Sequence, residues 1–301
     1  GPMGNAIAKT IYYSKLKSLI NKGMSEDAAK AEIEDKGGVS MTIGLDVPGM
    51  FRTPQLNAAL FHESSIQLSN RLKATLGLRY DLSRTSIHYD THAIMTINAD
   101  IMGQKKLNTL SSYLNSRTHN TFNQLLPKIA LTYDLGKVSH LNGGDIGNLY
   151  ASVSKGYRAG GYNIQMFSDI LQTELMANRK NAMKGSYDIP HSADDYSKEN
   201  NTIAYKPEES WNYEVGAHLN LFNQAAHLDF SAYYMQIKNQ QLSVMAGTYG
   251  FGRMMVNAGR SRSFGGEITL RGSSFNNALA WALAYGYTNA TFRNYNDGEN
   301  D

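Results

Sequence analysis

The residues able to do chemistry fall into separate groups along the chain. Asp188, His191, Asp194, Asp195 and Glu199 crowd one polar stretch, and carboxylates with an imidazole can hold a divalent cation. Their spacing matches no recognised metal loop, so a solvated acidic loop is expected and no metal or cofactor is assigned. A second stretch runs Gly156-Tyr157-Arg158-Ala159-Gly160-Gly161-Tyr162-Asn163. Its glycines permit tight turning, and Tyr157, Arg158, Tyr162 and Asn163 can contact an anionic or polyhydroxylated ligand. Plain loop packing is the competing reading. Arg79, Lys128, Glu214, Glu267 and Arg271 stand inside otherwise apolar-alternating runs, where opposite charges can pair across strands. Cysteine is absent, which removes thiolate nucleophiles, thiolate zinc sites and disulfides. No nucleophile elbow, zinc-protease pair or phosphate-cradling glycine loop appears, so no enzyme is expected.

The elements that must position these groups are strands. In the run from Arg71 to Asp81 the even positions Leu72, Ala74, Leu76, Leu78 and Tyr80 are apolar, while Lys73, Thr75, Arg79 and Asp81 alternate with them. The same period of two recurs at Ile129–Leu135, Trp211–Leu221, Leu228–Tyr234, Phe264–Leu270 and Leu279–Tyr287. Residues 10 to 37 differ. Tyr12, Leu16, Leu19 and Ile20 share a helical face, Gly23 offers a C-cap, and Ser25 opens a second helix with Glu26 and Asp27 in its first turn. A helical hairpin inserted as a surface loop is expected there.

Composition narrows the class. A net charge of +3 over 301 residues lacks the electrostatic footprint of a nucleic-acid binder. No stretch approaches the roughly 18 apolar residues of a membrane helix, but strands of a transmembrane barrel alternate and escape that test. No charged leader followed by an apolar core opens the chain, so a mature, trimmed or internal segment is expected.

A soluble sandwich also alternates. Here the runs reach about ten residues, the length that crosses a bilayer when tilted, and long charged side chains occupy the polar face mid-strand. Short turns at Ser69-Asn70, Asn223-Gln224 and Ser274–Asn277 alternate with long polar links around 84–120, 159–208 and 238–252. That alternation is the pattern of an outer-membrane barrel with its long loops outside the cell. Leu76, Val215, Leu219, Trp281 and Leu283 are then expected on the lipid face, and Arg79, Glu214, Glu267 and Arg271 in the lumen. Trp211, Tyr213, Trp281, Tyr285 and Tyr287 read as an interfacial aromatic girdle.

Specific blocks carry a resemblance. Leu76-Gly77-Leu78-Arg79-Tyr80-Asp81, Leu126-Pro127-Lys128, the run from Leu149 to Arg158, Lys206-Pro207-Glu208-Glu209-Ser210-Trp211-Asn212-Tyr213-Glu214-Val215-Gly216, and Val256-Asn257-Ala258-Gly259 followed by Gly265-Gly266-Glu267-Ile268 resemble the barrel strands of TonB-dependent outer-membrane receptors. The resemblance covers about residues 50 to 292. It implies an all-β antiparallel meander supplying about nine or ten strands of a plugged barrel of about twenty-two. It further implies that the plug domain and the closing C-terminal strands are not part of residues 1–301. The implied function is active uptake of a scarce nutrient, a metal chelate such as a siderophore or haem, cobalamin, or a glycan. The implied partners are TonB acting through a plug, outer-membrane lipid and lipopolysaccharide, and the small ligand, in the outer membrane of a Gram-negative bacterium. Arg79, Lys128, Glu214, Glu267 and Arg271 would form a polar network facing the plug. A passive porin or adhesin barrel and a soluble β ligand-binding domain are the alternatives.

Overall fold

The computed structural model of the protein describes residues 1–137, 144–247 and 252–295. Two helices, α1 (Pro2–Asn21) and α2 (Glu26–Asp35), precede β1 (Val39–Asp46), β2 (Gly49–Arg52), β3 (Gln55–Gln67), β4 (Leu72–Ile101), β5 (Gln104–Asp134) and β6 (Gly147–Arg158). A long connection then holds β7 (Gly161–Tyr162), α3 (Met166–Ala177), α4 (Arg179–Lys184), β8 (Tyr187–Ile189), α5 (Ala193–Ile203) and β9 (Ala204–Tyr205). After β10 (Glu208–Leu221) and β11 (Ala226–Lys238), β12 (Gln241–Met245) and β13 (Arg253–Asn257) make a hairpin, and β14 (Gly259–Ser274) and β15 (Leu279–Tyr295) follow.

The main sheet is an open meander in the order β1-β4-β5-β6-β10-β11-β14-β15, with β2 and β3 also on β4. Where nine or ten strands are expected, the described residues give eight positions along this path, and the sheet has eleven segments because the first position is cut into three and β8 adds a short one. The cuts fall at Pro48 and Pro54, which have no N–H for a ladder and are tolerated on an edge strand. Their carbonyls still accept from His92 N and Ser86 N at 3.1 and 3.0 Å, so the edge runs on in register. The one parallel pairing among the described residues, β8 on β5, spans three residues.

The tight turns lie where the sequence places them. Phe222, Asn223 and Gln224 have φ of 50, 58 and 69°, and Phe275, Asn276 and Asn277 repeat this at 56, 52 and 66°. Asn enters the left-handed region at little cost, which suits both turns.

The link expected at 84–120 is instead strand. β4 and β5 pair without a break from Leu72↔Tyr133 to Ile101↔Gln104. The cause is a change of parity. Up to Leu82 the even positions of β4 are apolar, with Leu76, Leu78, Tyr80 and Leu82 exposed, whereas from Ile87 to Ala99 the odd positions Ile87, Tyr89, Ala93, Met95, Ile97 and Ala99 are buried. The hairpin thus leaves the wall of the sheet and turns its other face into a buried core.

That core is built with the long connection. Phe167, Leu171 and Leu175, four residues apart along one face of α3, pack with Ile87, Tyr89, Leu110 and Leu114. The Phe167 ring lies 4.6 Å from Tyr89 and 5.3 Å from Phe51. The helical hairpin differs from expectation at two points. α1 starts at Pro2 rather than near residue 10, because proline is favoured in a first turn and Gly4 lets the helix lie on β1, where a Cβ would stand 2.6 Å from the Met41 carbonyl oxygen. Ile20 is exposed, and Leu16 packs instead with Ala29 and Ile33 of α2. Gly23 has φ +100° and Ser25 Oγ accepts from Ala28 N, both as the sequence indicates.

Candidate functional site

Cross-strand partners share a face, so the register decides which side chains can act together. One rung runs Leu76↔Ile129↔Val153↔Tyr213↔Tyr234↔Phe264 across six strands. The next runs Ala74↔Leu131↔Ala151↔Val215↔Ala232↔Gly266↔Tyr287. Leu219, Leu228, Leu270 and Leu283 make another. This apolar face is exposed, with Val215 at 53% and Leu283 at 67% of full accessibility. Tyr213 meets Tyr234 and Phe264 meets Tyr287 at 6.2 and 6.5 Å between ring centres.

The opposite face is polar and carries Arg79, Lys128, Glu214, Glu267 and Arg271. Glu214 sits between Ser152 and Tyr233, and Glu267 between Ser231 and Gly286. The cross-ladder pairs of Glu214 and Glu267 with Arg79, Lys128 or Arg271 do not form among the described residues. Arg79 Nε instead bonds Asp81 Oδ1 at 2.7 Å, and Asp229 takes His218 Nδ1 at 2.6 Å with Arg271 Nη2 at 3.8 Å. Geometry explains this: Arg271 is two rungs from Glu267, about 13 Å along the strand, while Asp229 is one rung away. Glu214 and Glu267 therefore stand on the polar face with neutral register partners.

At the long-loop end, Arg158 closes β6 with an exposed side chain. Asn163 is only 5% exposed, and its amide is spent on backbone: Nδ2 donates to Met255 O and Oδ1 accepts from Met255 N, both at 2.8 Å. The Tyr162 hydroxyl accepts from Asn120 Nδ2 at 3.1 Å and donates to Thr85 O at 3.3 Å, and burial pushes its pKa up. The Tyr157 hydroxyl is buried without a hydrogen-bond partner. Arg158 is thus the predicted contact residue left open, and Tyr162 and Asn163 brace the loop.

Two bracing residues escaped the sequence reading. Asn257 accepts from Lys206 N at 2.7 Å and donates to Lys206 O and Asn239 O at 2.9 Å. Gln241 Nε2 donates to Ala159 O and Lys206 O at 2.9 and 3.1 Å. Asn257 lies within the Val256–Gly259 block, and that was its only signal. Together these amides tie three connections into one rim, beside a cavity of about 350 Å³ lined by Asn163, Tyr205, Lys206, Asn239 and Met254.

The acidic stretch is also structural in part. Asp195 forms a capping box with Ser192, and those hydrogen bonds hold its carboxyl below the usual range. His191 Nε2 donates to Glu174 Oε1 and Ser112 Oγ donates to Glu174 Oε2, both at 2.7 Å. Both groups donate to one carboxylate, which ties β5, α3 and the segment after β8 together. Burial, then the neighbouring Glu174, raises the Glu199 carboxyl. A carboxyl raised in the folded state favours folding at low pH and loses that contribution as pH climbs through its folded value. Glu199→Gln is therefore expected to slow hydrogen exchange of residues 193–203 at pH 8 and to leave it unchanged at pH 4, and equal protection at both pH values would contradict it.

Residues 36–301 match the model of a family described as TonB dependent receptor-like, beta-barrel. No curated protein matches the sequence. Among solved structures, the ferric yersiniabactin uptake receptor of Yersinia pestis is similar at 17% identity and a TM-score of 0.49, covering 84% of this chain and 32% of that one. The alcaligin outer-membrane receptor of Bordetella pertussis gives 12% and 0.35, covering 84% and 41%. The FrpB iron transporter of Neisseria meningitidis, F5-1 variant, gives 11% and 0.41, covering 87% and 43%. This chain spans about a third of the length of the first of these.

Proposed function

Since the chain belongs to the TonB-dependent receptor-like β-barrel family, we propose that it forms part of the wall of an outer-membrane barrel for active nutrient uptake in a Gram-negative bacterium. The observation that carries this reading is the two-faced sheet. An apolar surface several strands wide, exposed rung after rung, is far larger than a soluble monomer leaves bare and fits hydrocarbon. The face bearing Glu214 and Glu267 then lines the lumen, where a plug with basic groups would satisfy both carboxylates and transmit the pull of TonB.

The helical hairpin and the α3–α5 connection lie on the long-loop side, outside the cell. The ligand class is a metal chelate, cobalamin or glycan. Arg158, exposed on a rim stiffened by Asn163, Tyr162 and Asn257, is the contact we assign to it, and Tyr157 adds apolar support beneath.

The test is growth of cells bearing the complete receptor on a panel of ferric chelates, cobalamin and glycans, with and without TonB. Growth on one member that disappears with TonB supports active uptake, and growth independent of TonB contradicts it. For that member, Arg158→Ala is expected to weaken binding about tenfold, equivalent to about 1.4 kcal/mol, with barrel assembly intact. Unchanged affinity removes Arg158 from the site.

A further inference from the structure

The two helices of the α1–α2 hairpin carry opposite charge. α1 holds Lys9, Lys15 and Lys17 and no acidic residue, whereas α2 holds Glu26, Asp27, Glu32, Glu34 and Asp35 against Lys30 alone. Packed side by side, helices of opposite sign can pair with each other, but these do not. Lys30 takes Glu26 and Lys36 takes Glu32 within the α2 segment, and among the described residues no ion pair joins α1 to α2. The seam between them is apolar, with Leu16 of α1 against Ala29 and Ile33 of α2.

The unpaired charges stand on faces turned away from that seam. Lys9, Tyr13, Lys17 and Ile20 follow one another at helical spacing along α1 and are all exposed, Tyr13 at 55% and Ile20 at 39%. Asp27, Ala31 and Glu34 do the same along α2, with Ala28 and Asp35 exposed beside them. A basic stripe with two large apolar side chains thus lies next to an acidic stripe with two small ones. Glu34 and Asp35 also occupy the negative end of the α2 dipole, where the last turn has no basic residue, and a cation supplied from outside would relieve that conflict.

We propose that the hairpin docks on the hairpin of a second copy of this chain, α1 of each receptor lying along α2 of the other. Such a contact is isologous and closes at two copies. Tyr13 and Ile20 cover Ala28 and Ala31, while Lys9 and Lys17 meet Asp27, Glu34 and Asp35. Both helices belong to one hairpin, so two receptors standing side by side bring the stripes level. The proposal goes beyond nutrient uptake and takes from the barrel reading only that the two copies share a membrane plane.

The experiment is sedimentation of the complete receptor in detergent over a concentration series, where wild type is expected to dimerise. Lys9→Glu/Lys17→Glu should weaken self-association about thirtyfold, since four exposed pairs per dimer are lost at roughly 2.5-fold each. Glu34→Lys/Asp35→Lys should weaken it similarly. An equimolar mixture of these two variants should associate as wild type does, because each α1 then meets an α2 of opposite sign in both halves of the contact. Lys105→Glu/Lys106→Glu, the same charge change at the tip of the β4–β5 hairpin, should leave association unaltered. A monomeric wild type, undiminished association of both hairpin variants, a mixture that stays monomeric, or equal loss with the Lys105 and Lys106 control each overturns the proposal alone, provided every protein shows the heat-modifiable migration of a folded barrel. Failure of wild type to show that migration overturns the barrel reading and this proposal together.

Discussion

Arginine at Val215 is expected to cost the barrel about 2 to 4 kcal/mol in a lipid refolding titration, the penalty for a cation at the bilayer midplane. Val215 lies at the centre of β10, is 53% exposed, and is flanked in its rung by Ala151 and Ala232. Nothing there can pair with the charge. Ser152→Arg is the control: Ser152 is the register partner of Glu214, so the guanidinium gains a carboxylate on the polar face and the cost should be small. Leu219→Arg should fall between them, since Leu219 lies about 13 Å further along the strand towards the Phe222 turn and the penalty fades near the interface. Equal costs for Val215→Arg and Ser152→Arg would contradict the assignment of faces.

Phe167→Ala is expected to loosen the outer core by about 3 to 5 kcal/mol, as for a buried phenylalanine. Its ring is almost wholly buried against Tyr89 and Phe51. Tyr89 is held from the far side by its hydroxyl, which donates to Asn200 Oδ1 at 2.7 Å, and burial raises its phenol to about 12. Losing the ring leaves a cavity between α3 and the β4–β5 hairpin. The loss should be local: hydrogen exchange should rise in α3, α5 and residues 87–99 of β4, while β10, β11 and β14 stay protected. Uniform exchange across both regions would show that the outer core has no stability of its own.

The wall and the outer core were unequally legible in the sequence. The wall could be read because each run keeps one parity from end to end, so that Leu76, Val215, Leu219, Trp281 and Leu283 fall together whatever the exact register. The long hairpin could not. Its buried face mixes Ala93, Ala99, Thr91 and Ser112 with larger residues, and its parity reverses between Leu82 and Ile87, so it looks like a polar link. The site divided in the same way. The exposure of Arg158 follows from its place at a strand end, but the bracing role of Asn163 depends on Met255, 92 residues away. Arg79, Lys128, Glu214, Glu267 and Arg271 share the face opposite the apolar rungs, yet the expected pairs among them do not form. Pairing depends on which rung each strand brings opposite, and Asp229 rather than Glu267 comes within reach of Arg271.

The central claim is that β10 separates lipid from a wet lumen; residues 1–301 hold no cysteine, so once any cysteine elsewhere in the receptor is replaced, single cysteines placed along β10 carry the label without background. Nitroxide labels at residues 212–215, 217 and 218 of the complete receptor in nanodiscs would be tested for collision with oxygen and with a water-soluble nickel chelate. The account predicts oxygen contact at Tyr213, Val215 and Ala217 and nickel contact at Asn212, Glu214 and His218. Nickel access at every position, or the opposite alternation, would contradict it.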